Sequence, residues 1–407
     1  MVIPDVPTFP APLSRTRTVV AISDFQDGWP PAQDPEPSVA EMQAGWLAGA
    51  LGPAPEASDK PVAVRGGYLE RLPLACVAAG LVEGAEIWHH WRPSGPAPFH
   101  RDSPALARRA FRLGGAEPPF RSNGMLGFVA AFGAPHILCA WGLGVDAALL
   151  DACDASFKIY NSIDAPALRI PPEVSGRFDL VLTAAEWQSD IVRDRHPDMP
   201  CAVLPIGPEF ADPDTFRPLG LEKPYDVVYV AAAQPYKRHD ILFDALARAP
   251  RPLKALCVFG YGHMAEDLRR EASARGLDVD FVGPPGVGFT EVNRLMNLAT
   301  VGVVCGVDDG GPAILTEYMM AGLPVLANAR LSCGLQYVRP DTGRAAEAED
   351  FGDALVALID AAPALRPRDA VLAHWSWPHS VARLHALMVE SPKARALGFD
   401  AVFRLRP

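Results

Sequence analysis

Asp308-Asp309-Gly310-Gly311-Pro312-Ala313-Ile314-Leu315-Thr316-Glu317, running on to Ala321-Gly322-Leu323-Pro324-Val325, is the stretch on which the reading of the whole chain turns. Before it, Val301–Val307 is an apolar, β-branched run that predicts a buried strand. The strand runs into two acids and two glycines. Pro312 suits a first helical turn, where its missing N–H costs nothing. The helix is expected over Ala313–Ala321, with Gly322 closing it and Pro324 leading into a strand at Val325–Ala327. A helix start after a glycine pair offers amides and a positive dipole end to an anion such as a diphosphate. Asp309 would stand at the mouth of that loop. Glu317 would sit further along the helix, as a carboxylate able to accept hydrogen bonds from a diol. The plainer alternative is a capped helix with two solvated acids.

Working outward, strands and helices alternate. Upstream the expected strands are Thr18–Ser23, Glu86–Trp91, His136–Trp141, Phe157–Tyr160, Leu180–Thr183 and Cys201–Pro205, with a helix near Ala185–Arg195. Pro213–Pro224, rich in Pro, Asp, Gly and Leu, is read as a linker. Beyond it come strands at Asp226–Ala231, Leu253–Phe259 and Val279–Val282, and helices at Asp240–Arg248, Met264–Arg275 and Phe289–Leu298. The expectation is α/β: two Rossmann-like doubly wound domains facing a crevice. Residues 1–215 form the first and 222–378 the second, with 379–407 a helical tail returning to the first.

The acidic segment resembles the donor-site signature of retaining, GT-B-fold glycosyltransferases, the large group 1 or family 4-like set. Their pattern is an acid, then a second Glu after seven intervening residues, then a helix ending in Gly-x-Pro-Val. Asp309 and Glu317 fit that spacing, although the first acid is usually Glu. The resemblance implies that Asp309 contacts the donor sugar and Glu317 the ribose. Gly310, Gly311 and Pro312 would shape the diphosphate loop.

Gln234-Pro235-Tyr236-Lys237-Arg238-His239-Asp240 is similar to the family's Lys-x-x-Asp loop, whose cations hold the diphosphate. The Arg expected five positions before Lys237 is Ala232, so Arg238 is the substitute on offer. Phe259-Gly260-Tyr261-Gly262 and Phe281-Val282-Gly283 resemble strand ends whose backbone meets the nucleotide, which adds Gly262 and Gly283 to the donor residues. The family implies Asp309, Lys237 and Glu317 as the catalytic set. It also implies retention of configuration and no metal or other cofactor.

The acceptor side is less defined. Asp24 and Gly28, in the turn after the first strand, are candidates, as are Asn161 and Asp164. Relatives often place a histidine at the end of the fourth strand; the matching place here, His136–Gly142, lacks it and offers Trp141. His90 is a separate candidate from Trp88-His89-His90-Trp91, whose two imidazoles point to opposite faces, so that at most one meets a site and a packed strand end is the plainer reading. There is no HExxH, Walker loop or Gly-x-Ser-x-Gly elbow.

Composition bounds the remainder. The 407 residues suit two domains. The formal charge of −11 argues against nucleic acid as a partner. Seven scattered cysteines without a CxxC suit reduced thiols and a cytoplasmic protein, and neither a signal peptide nor a transmembrane segment is expected. The implied activity moves a sugar from a nucleoside-diphosphate sugar to a glycan, lipid-linked, protein or small-molecule acceptor. A nucleotide-sugar 2-epimerase of the same fold and an inactive GT-B binding partner are the alternatives.

Overall fold

The computed structural model describes residues 17–22, 62–91, 99–115, 117–162, 164–401 and 403. Its chain divides into two compact units, 1–206 with 381–407, and 207–380.

The first unit is built on an eight-stranded sheet. Its strands are β1 (Thr18–Ile22), β2 (Gly84–Trp91), β3 (Phe99–Ser103), β4 (Leu106–Arg112), β5 (Ile137–Trp141), β6 (Phe157–Ser162), β7 (Leu180–Thr183) and β8 (Cys201–Val203). Their order is β3-β4-β2-β1-β5-β6-β7-β8, parallel except for the β3–β4 hairpin. Among the described residues, five helices connect them: α1 (Arg71–Ala78), α2 (Asn123–Phe132), α3 (Ala147–Ala152), α4 (Pro172–Ser175) and α5 (Glu186–Arg195). Local chemistry fixes two helix starts. The Ser122 hydroxyl accepts from Met125 N at α2, and Asp146 Oδ1 accepts from Leu149 N at α3.

The hairpin was not foreseen, because β4 carries three arginines in seven residues. Arg109 is nonetheless 1% exposed. Its guanidinium reaches Glu86 on β2 at 2.8 and 3.1 Å and lies 4.8 Å from the Phe128 ring centroid. Charge pairing lets a strand that reads as polar enter the core.

The second unit holds a six-stranded, wholly parallel sheet: β9 (Tyr225–Val230), β10 (Ala255–Val258), β11 (Val279–Val282), β12 (Ala299–Val304), β13 (Val325–Asn328) and β14 (Gly343–Ala346). The order is β11-β10-β9-β12-β13-β14. Its helices are α6 (His239–Arg248), α7 (Ala265–Ala274), α8 (Phe289–Met296), α9 (Ile314–Met320), α10 (Phe351–Ala361), α11 (Pro367–His374) and α12 (Trp377–Glu390), the last running past the division; α13 (Pro392–Ala396) follows in the first unit.

The strands are apolar at successive positions because both faces are covered. Val227 and Tyr229 join one core layer with residues of α6, α7 and α10; Val228 joins the other, with α8, α9 and α11. Across β9–β12 the register pairs Val227 with Val301. β14 and α10 were not anticipated.

The stretch read as a linker, Pro213–Pro224, belongs to the second unit, which begins at Gly207 rather than at 222. Phe216 is buried in its core. The amides of Arg217 and Leu219 donate to Asn293 of α8 and to Asn297, which caps it, at 3.0 and 2.7 Å, and Arg368 donates to the Phe216 carbonyl at 2.8 Å. Side-chain amides satisfy an irregular backbone that composition alone presents as free. Among the described residues, no helix is long and apolar enough to cross a membrane.

Candidate functional site

The strand order of the second unit reverses between β9 and β12: the chain builds outward from β9 to β10 and β11, then crosses to β12, β13 and β14. In such sheets the carboxyl ends of the strands at the reversal open a crevice, and ligands bind there. Lys237 lies on the loop after β9 and Asp309 on the loop after β12. Across 72 residues of sequence, the Lys237 ammonium donates to Asp309 Oδ2. Their side chains are 15% and 12% exposed. A cation and a carboxylate thus meet, mostly shielded from water, at the switch point.

Each side of the pair is fixed by its neighbours. Pro235–Lys237 forms a single 3-10 turn. The Tyr229 hydroxyl, rising from β9, donates to the Lys237 carbonyl at 2.5 Å. Lys237 Nζ stands 4.9 Å from the centroid of the Tyr236 ring. On the acidic side, Asn328 at the end of β13 donates to the Cys305 carbonyl at 2.9 Å, and the amide and hydroxyl of Ser332 both reach the Val307 carbonyl at 2.8 Å. These contacts hold the loop that carries Asp309. Sequence reading missed Tyr229, Asn328 and Ser332; a polar residue closing an apolar strand, as Asn328 does, is the signal that was available.

Gly310, Gly311 and Pro312 lead into α9. The left-handed backbone of Gly311, φ +97°, makes the bend. Gly311 is engaged in an interaction of its own within the protein. Pro312 closes the first turn by accepting from Leu315 N at 3.3 Å.

The helix is short, seven residues, and six of them are buried. Tyr318 lies across Gly302 of β12, and its hydroxyl accepts from Val230 N at 2.6 Å. Thr316 donates to the Pro208 carbonyl at 2.7 Å. Glu317 is therefore held on a pinned helix, is 7% exposed, and has partners inside the protein.

The other donor-side candidates separate. Arg238 does not join Lys237 and Asp309. It sits in left-handed backbone, φ 51°, and its guanidinium forks onto Asp240 at 2.7 to 3.2 Å. That hydrogen bond lowers the Asp240 carboxyl below its ordinary range and raises the Arg238 guanidinium. The Asp of the Lys-x-x-Asp pattern thus neutralises the very cation expected to replace the missing arginine.

Gly262 packs against the Lys237 loop: at φ +126°, a Cβ would fall 2.3 Å from the Ala233 carbonyl oxygen. Gly283 packs in the same manner on Phe259, and its own carbonyl accepts from Arg269. Both glycines bring strand ends together; the Gly283 carbonyl is already occupied.

In the first unit the acceptor-side candidates are largely core. His90 is fully buried, its Nε2 2.5 Å from the Gly144 carbonyl, and burial depresses its basicity. Trp141 is 8% exposed and packs near Tyr68. The His90 ring packs on Phe120 as well as on the Gly144 loop, so both rings are taken up by packing within the first unit. Asn161 is buried and accepts from Ile206 N at 3.5 Å, while its Nδ2 has no partner. Asp164 pairs with Arg169 at 3.2 Å in a half-exposed loop. Asp24 and Gly28 lie outside the described residues.

Residues 212–366 match the profile of the family described as Glycosyl transferases group 1. None of the curated proteins searched matches the chain. Among solved structures, sucrose-phosphate synthase from Thermosynechococcus elongatus is 18% identical over 92% of this chain and 99% of its own, with a TM-score of 0.61. HepE from Anabaena, in complex with UDP, is 13% identical over 92% of this chain and all of its own (100%), with a TM-score of 0.62. The lipopolysaccharide outer core galactosyltransferase WaaB, in its apo form, is 13% identical over 92% and 99%, with a TM-score of 0.53. At these identities the likeness is one of fold, and the fold is GT-B. The second unit carries a glycosyltransferase domain.

Proposed function

We propose that this glycosyltransferase domain binds a nucleoside-diphosphate sugar at the Lys237–Asp309 pair, and that the protein passes the sugar to an acceptor hydroxyl with retention of configuration. The observation that carries the reading is the meeting of these two side chains at the topological switch point. A lysine there is a compact charge suited to phosphate oxygens.

In the donor-free protein Asp309 neutralises Lys237. An arriving diphosphate takes over the ammonium and leaves the Asp309 carboxylate to accept from hydroxyls of the donor sugar. Gly310 contributes backbone to the diphosphate, and Glu317 accepts from the ribose.

During transfer, the bond between the anomeric carbon and the diphosphate oxygen breaks. The acceptor oxygen bonds to that carbon from the face the diphosphate leaves, and its proton passes to the departing diphosphate oxygen. Lys237 stabilises the charge growing on the departing oxygen. The role falls to Lys237 without Arg238, and no metal is assigned a part. The seven free cysteines support a reducing, cytoplasmic setting.

Turnover tests the reading. The protein is incubated with UDP- and GDP-sugars, with and without oligosaccharide, lipid-linked and peptide acceptors, and released nucleotide is followed. Release that depends on an acceptor is the expected result. A new sugar epimer formed without acceptor identifies a 2-epimerase instead. Saturable donor binding with no turnover identifies a binding partner.

A further inference from the structure

We propose that Thr316 and Tyr318 are positioning residues for Glu317: their hydroxyls set the rotation of α9 and so the place at which its carboxylate receives the ribose. This rests on the reading of Glu317 as the ribose ligand. α9 has seven residues, too few to hold a fixed orientation without outside contacts. Successive residues of a helix stand about 100° apart around its axis. Thr316 and Tyr318 therefore leave the helix about 200° apart, one on each side of Glu317.

Both are fully buried, and each hydroxyl reaches another part of the fold. The Tyr318 hydroxyl accepts from Val230 N, at the end of β9, at 2.6 Å. Thr316 Oγ1 donates to the Pro208 carbonyl at 2.7 Å, with a longer contact of 3.2 Å to the Ala313 carbonyl within its own turn. A rotation of α9 that displaces Glu317 breaks both of the outer bonds.

The anchor at Pro208 is itself immobilised. Residues 207–212 are buried although they lie outside any helix or strand of the sheets. The Glu209 carboxylate, 2% exposed, accepts from the Ser380 hydroxyl at 2.7 Å, and that hydroxyl accepts from Phe210 N at 3.2 Å. Phe210 stands in left-handed backbone, φ 61°, which so bulky a residue keeps only where its surroundings hold it. The Ala211 carbonyl accepts from Trp377 N at 3.1 Å. Thr316 is thus bonded to a rigid segment. Lys237 is held separately, through its carbonyl by Tyr229, so α9 can lose its setting while the phosphate end of the site keeps its own.

The test is calorimetric titration of UDP, GDP, ADP and inorganic pyrophosphate into the full chain and into Thr316→Val, Thr316→Ser, Tyr318→Phe, Glu317→Ala and the double variant Thr316→Val/Glu317→Ala. Thr316→Val keeps the shape and loses the bond. It is expected to weaken the preferred nucleotide by about tenfold while leaving pyrophosphate unchanged. Thr316→Ser, which keeps the hydroxyl, should stay within about threefold of wild type. The double variant should bind nucleotide no more weakly than Glu317→Ala, because Thr316 acts through Glu317 alone. Tyr318→Phe should show the same split as Thr316→Val, and it decides by the same criteria if Thr316→Val does not fold. Wild-type nucleotide affinity in Thr316→Val overturns the proposal. So does an equal loss of pyrophosphate, which would mean general damage to the site, or a loss in Thr316→Ser as large as in Thr316→Val. A further loss in the double variant overturns it too, because Thr316 would then act on something other than Glu317. Wild-type affinity in Glu317→Ala removes the ribose role of Glu317 and the positioning role with it. Wild-type protein that binds no nucleotide removes the donor reading itself.

Discussion

Lys237 and Asp309 are charged groups that cannot both serve a ligand while they serve each other. Their pairing in the donor-free protein makes Asp309 a competitor of the diphosphate, a relation that spacing in the sequence did not suggest. Asp309→Asn removes the competitor and keeps the shape. Its affinity for inorganic pyrophosphate should rise by about tenfold, roughly 1.4 kcal/mol, while sugar transfer falls. Unchanged or weaker pyrophosphate binding in a titration would mean that the ammonium is not the phosphate ligand. Arg238 provides the contrast. With its guanidinium forked onto Asp240, Arg238→Ala should change donor affinity by less than about twofold, as expected of an exposed ion pair with little net worth.

At the level of elements, the strands that position the site were legible because a parallel sheet covered on both faces leaves long apolar runs. Tyr225–Val230 and Ala299–Val304 are such runs. Where legibility failed, a pairing hid the burial. Leu106–Arg112 reads as polar until Glu86 on the neighbouring strand is seen to absorb Arg109. Gly343–Ala346 is a four-residue edge strand with two exposed positions, too short to show a period.

In the site, Lys237 and Asp309 were visible as residue types at loop positions. The hairpin account has its own check. Arg109→Ala leaves the Glu86 carboxylate largely buried without its cation, and should cost about 3 kcal/mol in a urea denaturation series. A loss under about 1 kcal/mol would mean that the pair is not what lets β4 into the core.

For the molecule as a whole, buried imidazoles tie stability to pH. His239 is 2% exposed, packed between Tyr229 and Phe259 at ring distances of 4.7 and 5.3 Å, and neither ring nitrogen has a hydrogen-bond partner. Burial, with the Lys237 charge adding to it, pushes its pKa down to about 4. Burial likewise pushes His89 down to about 3. A depressed folded pKa means that the unfolded chain takes up the proton first. Stability is then full above the unfolded value, near 6.5, and falls as pH drops toward 4, with a slope approaching 1.4 kcal/mol per pH unit for each such group. His239→Phe keeps an aromatic ring between its neighbours and should flatten that slope while preserving stability at pH 7, as read from melting curves at pH 4.5 to 7.5. An unchanged slope would relieve His239 of the effect.

The most direct test of the donor site is calorimetry of a nucleoside-diphosphate sugar with wild-type protein, Lys237→Ala and Glu317→Ala. The account predicts saturable binding to the wild type, weakened by about tenfold, or about 1.4 kcal/mol, in each variant. Equal affinity in all three proteins would contradict it.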